Sequence, residues 1–380
     1  MPSKDFKYLV LSDIHLGHSK TKSEEIVNHL DAFFEYYQTN TVYTELDIII
    51  IAGDLFDSLL DFASIDIHIA SLWVSRLVGF CSLYKIKLRI LFGTPSHDWN
   101  QSRIVETLIR MIDKPIDFKY IETLYIERMD DLDIDILYIP DEWTPNTDLT
   151  FTQVQELMKS KGLLQVDIAV MHGCFNYQLQ NVPGHIQRHS EANYLSVVKY
   201  FISIGHFHTF STYERIIAQG SFDRLAHGEE EPKGGVIIQI TKEDEMRFDF
   251  IENKHAKIYK TIQFRSYDLD KCMEKLDRFV KKLPHDSYVR IKAVKDHPLY
   301  AGLDRLKLRY LDFNFSRIAL DKEEKTYQLL NNIEVAVDYT PISITRDNIK
   351  TLLMEQIVNK YTLTQPQLGL LDTLLDQTAN

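Results

Sequence analysis

Residues 46–52, Leu-Asp-Ile-Ile-Ile-Ile-Ala, constrain the fold more than any other stretch of this chain. Four consecutive isoleucines leave no polar alternation, so the run suits a short strand covered on both faces, as strands of parallel sheets in α/β proteins are. Gly53-Asp54 follows at once. A carboxylate at the tip of so buried a strand is costly to desolvate unless it meets a cation. One short run therefore fixes both a layered fold and a place for charge chemistry.

The flanking sequence supplies the rest of a parallel sheet. Strands are expected at 6–12 and 87–92, and helices at 23–38, 62–83 and 102–112; Ile26, Leu30, Phe33 and Phe34 mark the helical period of the first. This βαβαβα order implies right-handed crossovers. From residue 118 short strands crowd together, at 123–127, 134–139, 166–171, 200–204, 209–215, 236–240 and 247–251, and their spacing suggests mixed or antiparallel pairing. Two sheets packed face to face, with helices outside, accommodate the pattern. Beyond 253–259 a strand (260–264), a helix (270–281), a strand (287–293) and a helical or extended stretch (303–315) read as a small α+β unit. Two helices, 347–361 and 365–377, follow a linker that can hold a strand at 334–339.

Length and composition set broad limits. A chain of 380 residues suggests two domains or one with appendages, and 44% hydrophobic with 26% charged residues is ordinary for a protein with a real core. No apolar run is expected to reach membrane-spanning length and the first residues are polar, so no membrane association is expected. Cys81, Cys174 and Cys272 form neither a metal knuckle nor a disulfide framework, which makes a reducing cytoplasm the expected location. The net charge of −12 argues on average against nucleic acid, but carboxylates committed to cations would be neutralised.

Five segments carry the chemistry: Asp13-x-His15, Gly53-Asp54-Leu55-Phe56-Asp57, Gly93-Thr94-Pro95-Ser96-His97-Asp98, Met171-His172-Gly173 and Gly205-His206-Phe207-His208. Each follows an expected strand and opens into a loop, so all can converge beyond one edge of the sheets. Any one of them alone could be an incidental turn; five in this order are not. Two divalent ions close together need a bridging carboxylate with nitrogen and oxygen ligands on either side. Asp54 is the natural bridge, Asp13, His15 and His208 suit one ion, and His172 and His206 the other. Mixed imidazole and carboxylate ligation favours Mn, Fe or Zn over Mg or Ca. Such ions activate a bound water and hold phosphoryl oxygens. His97 would act as general acid or stabilise charge on phosphorus, with Asp98 orienting its ring. His18, His68, His227, His255, His285 and His297 read as surface or core residues, and Cys174 as a packed thiol.

These segments resemble the calcineurin-like metallophosphoesterase family. Ser12-Asp13-Ile14-His15-Leu16-Gly17 resembles the form seen in its SbcD-type nucleases, which include the meiotic-recombination-eleven protein. So does Gln219-Gly220-Ser221-Phe222-Asp223-Arg224-Leu225, followed by Gly228-Glu229-Glu230 and Lys233-Gly234. The resemblance covers residues 1 to about 255; beyond that it is one of layout, in the compact form of bacterial or bacteriophage members. It implies a two-sheet sandwich flanked by helices, with a small α+β cap and a helical tail. It implies Asp13, His15, Asp54, His172, His206 and His208 as metal ligands and His97 as the catalytic histidine. It further implies a homodimeric exo- and endonuclease that uses two divalent ions, Mn first with Mg or another transition metal as alternatives. Such a nuclease acts on double- and single-stranded DNA ends beside an SbcC-type, SMC-like ATPase.

Two departures matter. The family's third motif is Gly-Asn-His-Asp or Glu, whose Asn reaches a metal; here two extra residues precede the histidine and Ser96 is the aligned ligand, which would hold the second ion more loosely. Asp57 stands where several members carry a histidine, so a proton-donating role there is not expected.

For DNA, residues 275–317 carry eleven Lys or Arg against five Asp or Glu, a sharp reversal of the overall charge. Lys281, Lys282, Arg290, Arg305 and Arg309 are the phosphate-tracking candidates. His185, Arg188 and His189, after the fourth motif, are candidates to reach the scissile strand. The tail carries two apolar stripes, at 349–358 and at 368–375, that two short helices cannot both bury alone, and helix-in-groove binding to the ATPase would cover them. The expected organisation is a nuclease domain (1–255), a DNA-binding cap (256–320), a linker (321–342) and an ATPase-binding tail (343–380). The expected function is a two-metal DNA nuclease subunit for recombination, repair or replication. The alternatives are a catalytically weak DNA-loading scaffold and a general phosphodiesterase or phosphatase.

Overall fold

The structure, a computed structural model, describes residues 4–38, 45–112, 114–141, 146–179 and 187–320. All lie in the first of two compact units, Met1–Glu334; the second, Val335–Asn380, falls outside them, as do the expected linker, tail helices and His185.

The chain opens as β1 (Phe6–Leu11), α1 (Ser23–Gln38), β2 (Ile48–Ala52), α2 (Ile65–Tyr84), β3 (Lys87–Leu91), α3 (Pro95–Asp98), α4 (Ile104–Ile112) and β4 (Phe118–Ile121). It continues through β5 (Tyr125–Met129), β6 (Ile134–Ile139), α5 (Thr147–Ser160), β7 (Ile168–His172), α6 (Glu191–Val197), β8 (Ile202–Gly205), β9 (Ser211–Tyr213), β10 (Ile216–Ala218), β11 (Gly234–Ile240) and β12 (Met246–Glu252). These strands form two six-stranded mixed sheets, ordered β12-β11-β1-β2-β3-β4 and β5-β6-β7-β8-β10-β9. In the first, β1 to β4 are parallel and β11 closes on β1 antiparallel; in the second, β6, β7, β8 and β10 are parallel.

The isoleucine run explains the layering. Strand β2 lies between β1 and β3 with every residue buried. Ile49 and Ile51 pack in the core beneath α1 and α2, while Ile48, Ile50 and Ala52 enter the core between the two sheets. A strand that is apolar on both faces is thus used on both. A third core, with Phe151, Val154 and Tyr194, lies between the second sheet and α5 and α6.

Helix α2 starts at Ser64, whose side chain accepts the Ile67 amide, and stops at Lys85, which has left-handed backbone. By length and composition it could cross a membrane, contrary to the sequence expectation that no run is long enough. Its Ile67, Ala70, Trp73, Val74, Leu77, Val78, Phe80 and Cys81 are instead buried in the helical layer with α1 and α4.

The cap region differs from its expected form. It comprises β13 (Tyr259–Gln263), α7 (Leu269–Val280), β14 (Tyr288–Ala293), α8 (Pro298–Ala301), α9 (Leu303–Arg309) and β15 (Asn314–Ala319). All three strands are parallel, a βαβαβ unit rather than segregated α+β, because helices connect both strand pairs. Val289, Ile291 and Ala293 face its own core with Leu276, Leu303 and Leu306. The alternate residues face the two large sheets and their loops: the Tyr288 hydroxyl donates to the Lys20 carbonyl at 3.1 Å, and Ser316 meets His227 at 3.3 Å. The expected strand at 209–215 is a hairpin, β9 and β10, because Glu214 takes the left-handed conformation that turns the chain.

One buried ion pair ties the sheets together. Arg89 on β3 and Glu127 on β5 pair through two hydrogen bonds of 2.8 and 2.9 Å, at 1% and 3% exposure, with Tyr138 donating to Glu127 at 3.2 Å. Removing one partner leaves a buried charge. Arg89→Ala is therefore expected to lower unfolding stability by about 3–5 kcal/mol, measured by denaturant titration, and far more than the exposed Arg76→Ala.

Candidate metal centre

The five segments meet at the C-terminal ends of β1, β2, β3, β7 and β8. The first two run on side by side past their strands: the amides of Ile14 and His15 donate to the Asp54 carbonyl at 2.9 and 3.1 Å, and Leu16 to Leu55 at 2.9 Å. Asp13, His15, Asp54 and His206 all have positive φ. Non-glycine residues take that conformation at a cost, and it persists only where surroundings over-determine it. Here it accompanies the turn that places both Asp13 and His15 in the buried cluster while Ile14 packs in the core. Gly53 and Gly93 make the crowding possible, because a Cβ at the first would overlap the His172 ring and at the second the Asp54 carboxylate.

Three groups of His and Asp could each hold a metal ion: Asp13, His15 and His208, all buried; Asp54, His172 and His206; and His15, Asp57 and His97, which shares His15 with the first. His15 Nε2 and His208 Nε2 face each other at 3.2 Å. That is close to the separation of two adjacent ligands each about 2.1 Å from one ion. Asp54 Oδ2 lies 3.3 Å from His172 Nε2 and 3.8 Å from His15 Nε2, between the first two groups. Three rings are held from behind by Nδ1: His15 by Asp57 at 3.1 Å, His208 by Glu229 at 2.9 Å, and His172 by the Ala52 carbonyl at 2.7 Å. Anchoring Nδ1 presents Nε2 to the site, as metal-ligating histidines require. The His15 Nδ1–Asp57 Oδ1 contact is an ion pair while the ring is protonated but lacks hydrogen-bond geometry, so both buried atoms are without a hydrogen-bond partner. The donor set fits a divalent cation.

Asp13 accepts the His206 amide on both oxygens, at 2.9 and 3.0 Å, and the Ser12 hydroxyl at 2.7 Å. His97 stands edge-on to His15, ring centroids 5.0 Å apart, and its Nδ1 meets the Asp57 carbonyl at 2.6 Å. Asp57 thus positions both rings, one through its side chain and one through its backbone.

Two expectations are corrected. Asp98 does not orient the His97 ring: its fully buried carboxylate accepts the amides of Gly93 at 2.7 Å and Phe56 at 3.4 Å, pinning the third loop to the second. Ser96 is exposed, on the outer side of α3, and is not in the cluster. Thr94 takes that place. Pro95 starts the helical turn, so the residue before it points inward; the Thr94 hydroxyl lies 3.1–3.4 Å from Asp54, Asp141, His206 and His172. Asp141 and Glu229 also escaped sequence reasoning. Asp141 had a signal, an acid just past an apolar strand; Glu229 lay in a stretch already singled out, without an assigned role.

Of the DNA-contact candidates, Lys281, Lys282 and Arg305 are exposed on the cap. Arg309 is paired with Asp277 at 3.1 Å, and Arg290 is half-buried on the sheet face opposite the core of the small unit. Arg188 is half-buried, and its carbonyl accepts the Thr147 hydroxyl. His189 is buried between Phe175 and Tyr194, away from any exposed strand-binding role. His297 caps α8, and His227 packs on Tyr259, as structural histidines.

No family model and no curated protein matched the chain. Among solved structures, the crystal structure of TT1561 of Thermus thermophilus is similar over 64% of this chain and 98% of its own, at 11% identity and a TM-score of 0.36. A second solved structure is similar over 66% of this chain and 100% of its own, at 11% identity and a TM-score of 0.38.

Charge dominates that geometry. Burial disfavours a charged His15, but Asp57, Asp54 and Asp13 outweigh it and push its pKa up to about 9. His172 is likewise raised, its burial outweighed by Asp54. Asp98, buried and beside Asp54, is pushed up to about 7. Burial would raise Glu229 too, but His208 and Lys233 hold it at about 2. Without an ion the raised imidazoles keep protons that an ion must displace. Below about pH 9 proton and ion compete at His15. Apparent affinity for Mn is thus expected to strengthen as pH rises from about 6 towards about 9, with proton release, as measured by calorimetry in buffers of different ionisation enthalpy.

Proposed function

We propose that this chain is a calcineurin-like metallophosphoesterase of the SbcD type, a two-metal nuclease acting on DNA ends. The observation that carries the reading is Asp54 Oδ2 standing between two His/Asp groups while His97 flanks one of them. Two divalent ions, Mn first, would be held by Asp13, His15 and His208 on one side and His172 and His206 on the other, with Asp54 shared, and would supply Lewis-acid activation of water and phosphoryl oxygens.

The chain's own residues do the rest. The Asp57 carbonyl accepts the Nδ1 proton of His97 and leaves Nε2 for the site, so the doubly protonated ring would donate its Nε2 proton to the leaving oxygen. Asp98 keeps the loop bearing His97 against the loop bearing Asp54. Glu229 orients His208, which gives the 219–234 stretch a direct part in the site. The exposed Lys281, Lys282 and Arg305 favour a polyanionic substrate over a small ester. A homodimer would use the helical layer, where Phe62, Ile65 and Leu72 are exposed, and an SbcC-type ATPase would take residues 343–380.

With Mn, cleavage of a duplex end is expected to exceed that of an aryl phosphodiester, and His97→Ala should lose about 100-fold or more in turnover while still binding metal and DNA. Cleavage of the small ester alone would instead support a general phosphodiesterase. Unchanged turnover in the variant would remove His97 from the chemistry. Deleting residues 343–380 is expected to abolish co-purification with the ATPase and spare metal-dependent cleavage.

A further inference from the structure

We propose that Asp141 is a ligand of the ion held by Asp54, His172 and His206, with Thr94 positioning it, so that this second position carries two carboxylates. The inference rests on the two-ion reading above and deepens it.

Asp141 lies just past β6, next to β7, whose end supplies His172. Its Oδ2 accepts from the Thr94 hydroxyl at 3.2 Å and lies 3.7 Å from His206 Nδ1. His206 differs from the other three histidines in turning Nδ1, not Nε2, towards the cluster. The other oxygen faces Gly173: a Cβ there would stand 3.5 Å from Asp141 Oδ1 and 3.4 Å from His189 Nε2, so glycine leaves the carboxylate and the imidazole in view of each other. His189 is itself held by the Tyr194 hydroxyl at its Nδ1, 3.2 Å away. Oδ2 thus lies towards the cluster and Oδ1 beside Gly173.

The Thr94 hydroxyl shows why a cation belongs among these atoms. It sits 3.1 Å from Asp54 Oδ2, 3.2 Å from Asp141 Oδ2 and His206 Nδ1, and 3.4 Å from His172 Nε2. One hydroxyl has one proton, so it cannot donate to both carboxylates together. Two like charges meeting at one partly buried hydroxyl favour an opposite one, which the raised His172 supplies without an ion and an ion would supply in its place. Asp54, His172 and His206 form a group that could hold that ion, and Asp141 Oδ2 stands beside it, 3.7 Å from His206 Nδ1. Where the resembling family uses a neutral amide oxygen, this chain would use an anion, which strengthens the hold on the second ion and favours oxygen-preferring divalent metals such as Mn. That reverses the looser binding expected from Ser96.

The test uses the full-length protein and Mn alone, read by calorimetric stoichiometry and by the electron paramagnetic signal of a spin-coupled pair. Wild type is expected to bind two ions. Asp141→Asn should leave the first affinity unchanged, weaken the second at least tenfold and abolish the coupled signal. Asp141→Cys should gain ultraviolet thiolate-to-cadmium absorption absent from wild type with Cd, a direct readout of ligation that also serves if the first variant fails to fold. Two ions bound to Asp141→Asn with wild-type affinity, equal weakening of both positions, or no thiolate band would each overturn the assignment. A wild-type protein that binds no ion would overturn the function proposed above along with it.

Discussion

Everything in this molecule turns on an aspartate that has nowhere to go. Asp54 follows a strand buried on both faces, and only 2% of it is exposed. Its neighbours sharpen the problem: Asp13, Asp57, Asp98 and Asp141 converge on the same pocket. Protons on His15 and His172, a raised Asp98 and a row of backbone amides keep the metal-free site tolerable. Such a cluster is unfavourable as a piece of core, and its residues could hold metal ions.

The supporting layer is as constrained as the ligands. Each Nε2-presenting ring is held from the far side, and the holders are themselves held. Glu229 accepts the Leu225 amide at 3.0 Å and pairs with Lys233 at 3.3 Å, whose amine also donates to the His208 carbonyl at 2.7 Å. A loop distant in sequence thus controls one imidazole to within a hydrogen bond, the arrangement a preorganised site needs.

Much of this was legible in the residues, for identifiable reasons. The isoleucine run could only be a doubly covered strand, and an Asp or His directly after such strands must lie at the sheet edge; hence the placement of Asp13, His15, Asp54, His172, His206 and His208. Thr94 was not legible, because counting back from His97 selects Ser96, and only the helical turn begun by Pro95 reveals which hydroxyl points inward. Asp141 was hidden by being a lone acid with no motif around it. The parallel cap was hidden too: α8 is four residues long, too short to show a helical period. The role of Asp98 was misjudged because adjacency to His97 in sequence implies nothing about side-chain direction on a tight turn.

The two groups of ligands do not come from one layer. Asp13, His15 and Asp54 extend from the first sheet, while His172, His206 and His208 extend from the second. Any ion sharing Asp54 with His172 is therefore a rivet through the sandwich, and the site gauges the alignment of its two plates. An ion held there would join the two sheets as well as its ligands, so a shift of one sheet against the other would alter the spacing of the ligands.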